Sequence, residues 1–210
     1  MSSAYMPSRI ARLPIDKKWN LPVPWFVRWI DGKPQFPIMD GEKWHRAITQ
    51  RRCWICGLPI VGDPMAFVIG PMCGINRTSA EPPSDINCAM YAARTCPFLI
   101  TPRMKRMEID VPGTVEAPGV AIKRNPGCCA VWITKRYTVI DAGNGPLIKI
   151  GEPQMVHWFA EGRPATRAEV LESIESGLPI LRNMAEEESP EALAALARMT
   201  EKLERWLPKQ

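Results

Sequence analysis

The chain has 210 residues, 46% hydrophobic and 23% charged, the make-up of a folded globular protein, which excludes a disordered chain. No apolar run reaches the roughly 18 residues of a spanning helix, and residues 1–19 carry basic side chains without an apolar core, so neither a membrane span nor a secretory signal is expected. Residues 1–150 carry a net charge of +9 and residues 151–210 a net charge of −4, so a basic body suited to an anionic partner precedes an acidic tail.

In chain order, residues 1–24 form a basic, Pro-rich arm without periodicity, expected to lie on the body or to move freely. Residues 25–101 follow as a zinc-binding module. Trp25 to Ile30 and Gln35 to Met39 read as strands around the turn Asp31-Gly32-Lys33. Asp40 can cap a helix from about Glu42 to Arg51, where Trp44, Ala47 and Ile48 are spaced as one helical face. After Cys53-Trp54-Ile55-Cys56-Gly57, the segments Leu58 to Val61 and Met65 to Ile69 read as a hairpin. A loop from Gly70 to Pro83 carries Cys73, and Ser84 caps a helix reaching about Thr95. Residues 102–118 read as a basic loop. In residues 119–151, Val120 to Lys123, Ala130 to Ile140 and Leu147 to Ile150 read as a three-stranded antiparallel meander. Residues 152–210 read as helical: one helix from Pro153 stopped at Gly162, one opened by the capping pair Thr166 and Glu169 and ending near Gly177, and one opened by Ser189-Pro190 with the stripe Leu193, Leu196, Leu203 and Leu207.

Seven cysteines, an odd number, without an export signal point to a reduced, cytoplasmic protein and to a zinc site instead of a disulfide framework. Cys53 and Cys56 have the spacing that lets two thiolates meet one ion, and Gly57 lets backbone amides turn toward the sulfurs. Asp85 and Cys88 lie at i, i+3 on the first turn of the following helix, the arrangement of a treble-clef zinc finger. The fourth ligand of a tetrahedral zinc is then Asp85 or Cys73. Cys96 is about 12 Å from Cys88 along a continuous helix, too far to share an ion. Cys128 and Cys129 are neighbours in a strand and face opposite ways.

These motifs carry a resemblance. Cys53-Trp-Ile-Cys-Gly57, Phe67-Val-Ile-Gly-Pro-Met-Cys73, Glu81-Pro-Pro-Ser84, Cys88 through Cys96-Pro-Phe98 and Trp158 to Leu178 with Glu161-Gly-Arg-Pro-Ala-Thr-Arg167 resemble an uncharacterised family of bacteriophage and prophage zinc-finger-like proteins. The resemblance covers most of the chain. It implies a phage-encoded protein of the host-cell cytoplasm, and a metal ligand at position 85, where the family more often has His and this chain has Asp. No reaction is attached to the family.

An enzyme needs acids, bases or nucleophiles in usable pairs. There are two histidines, His45 and His157, and the deaminase, P-loop, zincin and nucleophile-elbow patterns are absent. A Cys73 nucleophile in a tight Gly-flanked loop has no base beside it in sequence. The zinc is therefore read as structural and the protein as a binder. Arg51, Arg52, Arg103, Lys105, Arg106, Lys123, Arg124, Lys135 and Arg136 fall at element ends and turns, where they can meet nucleic-acid phosphates, with Trp19, Trp25, Trp54 and Tyr137 near them in sequence for stacking. The alternative partner is a host protein, met by the acidic C-terminal helices through exposed Trp206 and Leu207. The expected fold is α+β: a treble-clef-like zinc module, a small antiparallel sheet and C-terminal helices.

Overall fold

The computed structural model describes residues 5–102, 104, 125–143 and 145–209. Its elements in order are α1 (Ser8–Ala11), β1 (Ile15–Asp16), β2 (Leu21–Pro22), β3 (Val27–Ile30), β4 (Lys33–Met39), α2 (Gly41–Thr49), β5 (Met65–Ile69), α3 (Pro71–Asn76), β6 (Thr78–Ser79), α4 (Ile86–Thr95), α5 (Pro97–Ile100), β7 (Cys129–Thr134), β8 (Tyr137–Asp141), β9 (Pro146–Ile150), β10 (Pro153–Ala160), β11 (Arg163–Pro164), α6 (Arg167–Glu188) and α7 (Pro190–Glu204). The chain is thus mixed α and β, with small antiparallel sheets and helices at the C-terminal end.

The centre is the antiparallel sheet β11-β10-β7-β5. All six residues of β7 are buried, as befits a strand covered on both faces. The period of two sorts its side chains. Cys129, Val131 and Ile133 meet Ala89 and Ala93 of α4 on one face. Ala130 and Trp132 join the larger core on the other face, with Ile75, Val170, Ile174, Leu196 and Leu203 from α3, α6 and α7. Cys128 lies in this larger core and Cys129 in the α4 layer, so the two do face opposite ways. A second sheet has the order β6-β9-β8.

Several sequence expectations are corrected. Ala130 to Ile140 is two strands in two sheets: the chain leaves the central sheet at Thr134, whose hydroxyl is drawn to the carbonyl of Glu152, and restarts at Tyr137 beside β9. Val120 to Lys123 lies outside the described residues. Residues 153–160, expected as a helix, are strand β10, paired with β7 from Pro153↔Thr134 to Phe159↔Cys129. Pro153 opens a strand there, a position that needs no ladder donor. Leu58 to Val61 does not pair with β5. That partner is β7, in register from Met65↔Thr134 to Ile69↔Ala130, and the 58–61 segment keeps only the bridge Pro59↔Arg52. The Gly70 to Pro83 loop contains α3 and β6. Helix α6 runs on through Gly177 and Pro179 to Glu188, and at Gly177 it meets Met72 of α3, whose Sδ lies 2.9 Å from the point a Cβ would occupy. The capping pair of α6 is present as expected, Thr166 and Glu169 bonding each other's backbone.

The N-terminal arm is no loose strap. Ile10 belongs to the main core and Val23 is buried as well. Leu207, expected to be exposed, is buried, and Trp206 is half-buried with its carbonyl accepting the Trp158 indole N–H at 2.8 Å. No helix among the described residues is long and apolar enough to cross a membrane.

Candidate metal centre

Cys53 and Cys56 sit on a tight knuckle. Its neck is closed by Cys53 N–H donating to the Leu58 carbonyl at 2.8 Å, and its tip by Gly57 N–H donating to the Cys53 carbonyl at 2.8 Å. Gly57 has φ +74°, and a Cβ there would lie 2.6 Å from Trp25 Cγ. Both the left-handed backbone and the close indole demand glycine. Beneath the knuckle, Trp54 is buried between Phe26, stacked at 5.1 Å, and Trp25, edge-on at 6.4 Å.

Cys88 comes from the first turn of α4. The helix is capped by Asp85, not by Ser84: Asp85 Oδ1 accepts from the amides of Asn87 and Cys88 at 3.0 and 3.4 Å. Ser84 instead makes a short bridge to Ala66. The three sulfurs of Cys53, Cys56 and Cys88 lie within 4.8 Å of one another, and all three residues are buried. Two backbone amides point at Cys53 Sγ, from Cys56 at 3.4 Å and from Asp85 at 3.3 Å. Amides aimed at a sulfur, and the N-terminus of α4 behind Cys88, both favour thiolate over thiol.

The sulfurs share protons. Hydrogen bonds from Cys53 and then Cys88 hold Cys56 down to about 3, as the thiolate of the group. The bond with Cys56 and burial push Cys53 up against the lowering effect of Cys88, and bonds with Cys53 and then Cys56, with burial, push Cys88 up. Such a group of sulfur donors, dry and backed by amide dipoles, suits a thiophilic cation.

Arg9 completes the surroundings, and sequence reasoning missed it. From α1 it reaches across to Asp85, Nη1 to Oδ2 at 2.7 Å, and its Nη2 donates to the carbonyl of Pro59. Burial works against its charge, but Cys56, Asp85, Cys53 and Cys88 together raise its pKa. Its buried Nε has no hydrogen-bond partner among the described residues. No local spacing links residue 9 to residue 53, so only the fold could reveal it.

The two candidates for a fourth ligand are placed differently. Asp85 adjoins the sulfurs through its own amide, although its carboxylate is taken up by the cap and by Arg9 and lies outside the three-sulfur group. Cys73 lies on α3, packed against the main core, where burial pushes its thiol up to about 11. That is opposite to the lowered pKa of an activated nucleophile.

Of the basic residues singled out, Arg103, Lys105, Arg106, Lys123 and Arg124 lie outside the described residues. Arg52 serves the knuckle, donating to the Gly57 carbonyl at 3.0 Å. Arg51 bonds the Gly62 carbonyl at 3.0 Å and Asp63 Oδ1 at 2.8 Å. Met65 faces Thr134 in the central sheet, so Gly62 and Asp63, just before β5, and exposed Lys135 and Arg136, just after β7, lie at one end of the sheet. Of the stacking candidates, Trp54 is core, Tyr137 packs edge-on against Phe67 at 5.9 Å, and Trp19 is exposed under Lys18. His45 is exposed on α2, eight residues before Cys53, and His157 is half-buried in β10.

Comparison with family models, curated proteins and solved structures finds no match to this chain.

Proposed function

We propose that Cys53, Cys56 and Cys88 hold a structural Zn²⁺ in a treble-clef-like module, and that the protein is a phage-encoded binder of nucleic acid and not an enzyme. The observation that carries the metal reading is the buried three-sulfur group at the meeting of a knuckle and a helix N-terminus. Zinc bound there fixes the knuckle to α4, and Asp85 can supply the fourth ligand only by turning its carboxylate out of the α4 cap and away from Arg9. The treble-clef-like reading is supported by a knuckle that precedes strand β5 and helix α4, although α3 and β6 intervene and β5 pairs with β7 in place of the expected hairpin. Asp85, the carboxylate beside the group, is already paired with Arg9, which favours a structural ion over a catalytic one.

The binding reading rests on Arg51, Lys135 and Arg136 at one end of the central sheet, where the acids are Asp63, bonded to Arg51, and Glu152, next to Pro153 opposite Thr134. Changing all three to Ala should weaken binding to every nucleic-acid sequence alike and flatten the salt slope by about three units, one per charge removed. The assay is a titration of wild type and variant on single- and double-stranded DNA and RNA at two salt concentrations. No binding by wild type at low salt would end this reading. A second reading, a host-protein partner, is favoured by a groove between α6 and α7 lined by Leu178, Leu193, Leu196, Glu186, Glu201 and Glu204. It predicts salt-insensitive binding that the triple change leaves intact.

A further inference from the structure

Sheet edges are templates for pairing, and proteins usually blunt them. This chain blunts most of its own. Strand β5 is covered at its outer edge by Ser84, which exchanges two backbone bonds with Ala66 at 2.9 and 2.7 Å. Strands β1, β2, β6 and β11 have two residues each, β3 is broken by a register shift after Val27, and β4 carries Pro34. Strand β8 has none of these devices. Its sequence Tyr137-Thr138-Val139-Ile140-Asp141 is rich in β-branched residues, keeps regular register with β9 over all five positions, and pairs on one side only among the described residues. Val139 and Ile140 are 43% and 38% exposed, on opposite faces of the strand.

The free edge has a defined pattern. Ala142 N–H donates to the Gly145 carbonyl at 3.0 Å and closes the β8–β9 hairpin. In an antiparallel ladder, inward-turned residues alternate with outward-turned ones. Ile140 and Thr138 therefore turn their backbone groups toward β9, and Tyr137, Val139 and Asp141 turn theirs outward. Two facts agree with this parity. Pro146, which has no N–H, faces Asp141, and Ile150 N–H points away from β8, to the carbonyl of Arg77 at 2.7 Å.

We propose that β8 is the interface of a two-fold dimer, in which a second copy of this chain adds its own β8 antiparallel to the first. The occupant is a second copy because the strand is complementary to itself. With the axis at Val139, outward-turned Tyr137 meets outward-turned Asp141, and Val139 meets Val139. Every bonding position then finds a bonding position. Ile140 lies opposite Thr138 on the other face. Such an interface is isologous and closed, so it ends at two copies and does not propagate as a fibre. It joins two three-stranded sheets into one of six strands.

The test uses the whole chain as purified, by light scattering from micromolar to hundreds of micromolar. The wild type should reach twice its chain mass of 23.6 kDa as concentration rises. Val139→Asp and Val139→Lys each set like charges face to face on the axis and should stay at the monomer mass. An equimolar mixture of the two should return to the dimer mass. A wild type that remains monomeric overturns the proposal, as does either variant dimerising alone, or a mixture of folded variants that fails to pair. Hydrogen exchange on the wild type gives an answer without any variant. The amides of Val139 and Asp141 should slow as concentration rises, while those of Thr138 and Ile140 are protected at every concentration. Unchanged exchange at Val139 across a mass increase would place the interface elsewhere and overturn the assignment.

Discussion

Zinc binding to the three-sulfur group should depend on pH in a way that reports how the sulfurs share protons. Zinc is held by thiolates, so each thiol that must ionise releases a proton and makes the apparent affinity rise tenfold per pH unit. In this chain Cys56 is held down to about 3 by hydrogen bonds from Cys53 and Cys88 and is already a thiolate at neutral pH. Cys53 is pushed up by the bond with Cys56 and by burial, Cys88 by bonds with Cys53 and then Cys56 and by burial, and both carry protons there. Two protons must therefore leave. The apparent affinity should rise about a hundredfold for each pH unit between roughly 6 and 8, about 2.7 kcal/mol per unit. Three independent thiols with ordinary values near 8.5 would release three protons and give about a thousandfold. The assay is competition against a chromophoric chelator of known proton affinity, with the protons released counted in a weakly buffered solution. A slope of three, or of one or less, would refute the shared-proton description of the group.

Other expectations follow from particular contacts. Arg9→Met removes the cation paired with Asp85 beside the sulfurs and should weaken zinc binding by about 10–100-fold, the usual loss when an outer partner of a metal site is removed, measured in the same chelator competition. Gly57→Ala forces a side chain into left-handed backbone and against Trp25. It should cost at least about 1–2 kcal/mol from the backbone alone, seen as a lower melting temperature. Glu169, bonded to Arg163 and to the Thr166 amide, titrates near 2 instead of 4.5. Its folded pKa is depressed, so its stabilisation is complete above about 4.5 and is lost as pH falls toward 2. Because the pair is solvent-screened, Glu169→Gln should lower stability by no more than about 1 kcal/mol at pH 7 and by almost nothing at pH 2.

The cysteine group was legible because its determinants are local. The two-residue gap between Cys53 and Cys56 and the place of Cys88 on a first helical turn survive any arrangement of the remaining chain. Asp85 was legible as a residue of that same turn. Arg9 was not, since it acts across a fold that brings α1 to α4. Strand β10 was misread because Pro153 and Gly162 punctuate a helix as readily as a strand. Pairing with β7 decides between them, and that pairing is non-local. The break at Lys135-Arg136 has no Gly or Pro to announce it and is set by Thr134 bonding to Glu152. Gly177 looked like a helix end, but α6 continues through it to Glu188, with Met72 of α3 packed against that glycine.

The central claim, a metal-stapled module, is tested most directly by elemental analysis of protein purified without added metal. Wild type should carry about one zinc per chain, as a single tetrahedral site requires, and Cys53→Ser should lose it together with much of its thermal stability. Less than about a tenth of an equivalent of zinc or any other thiophilic metal in folded wild type would contradict the single-site account.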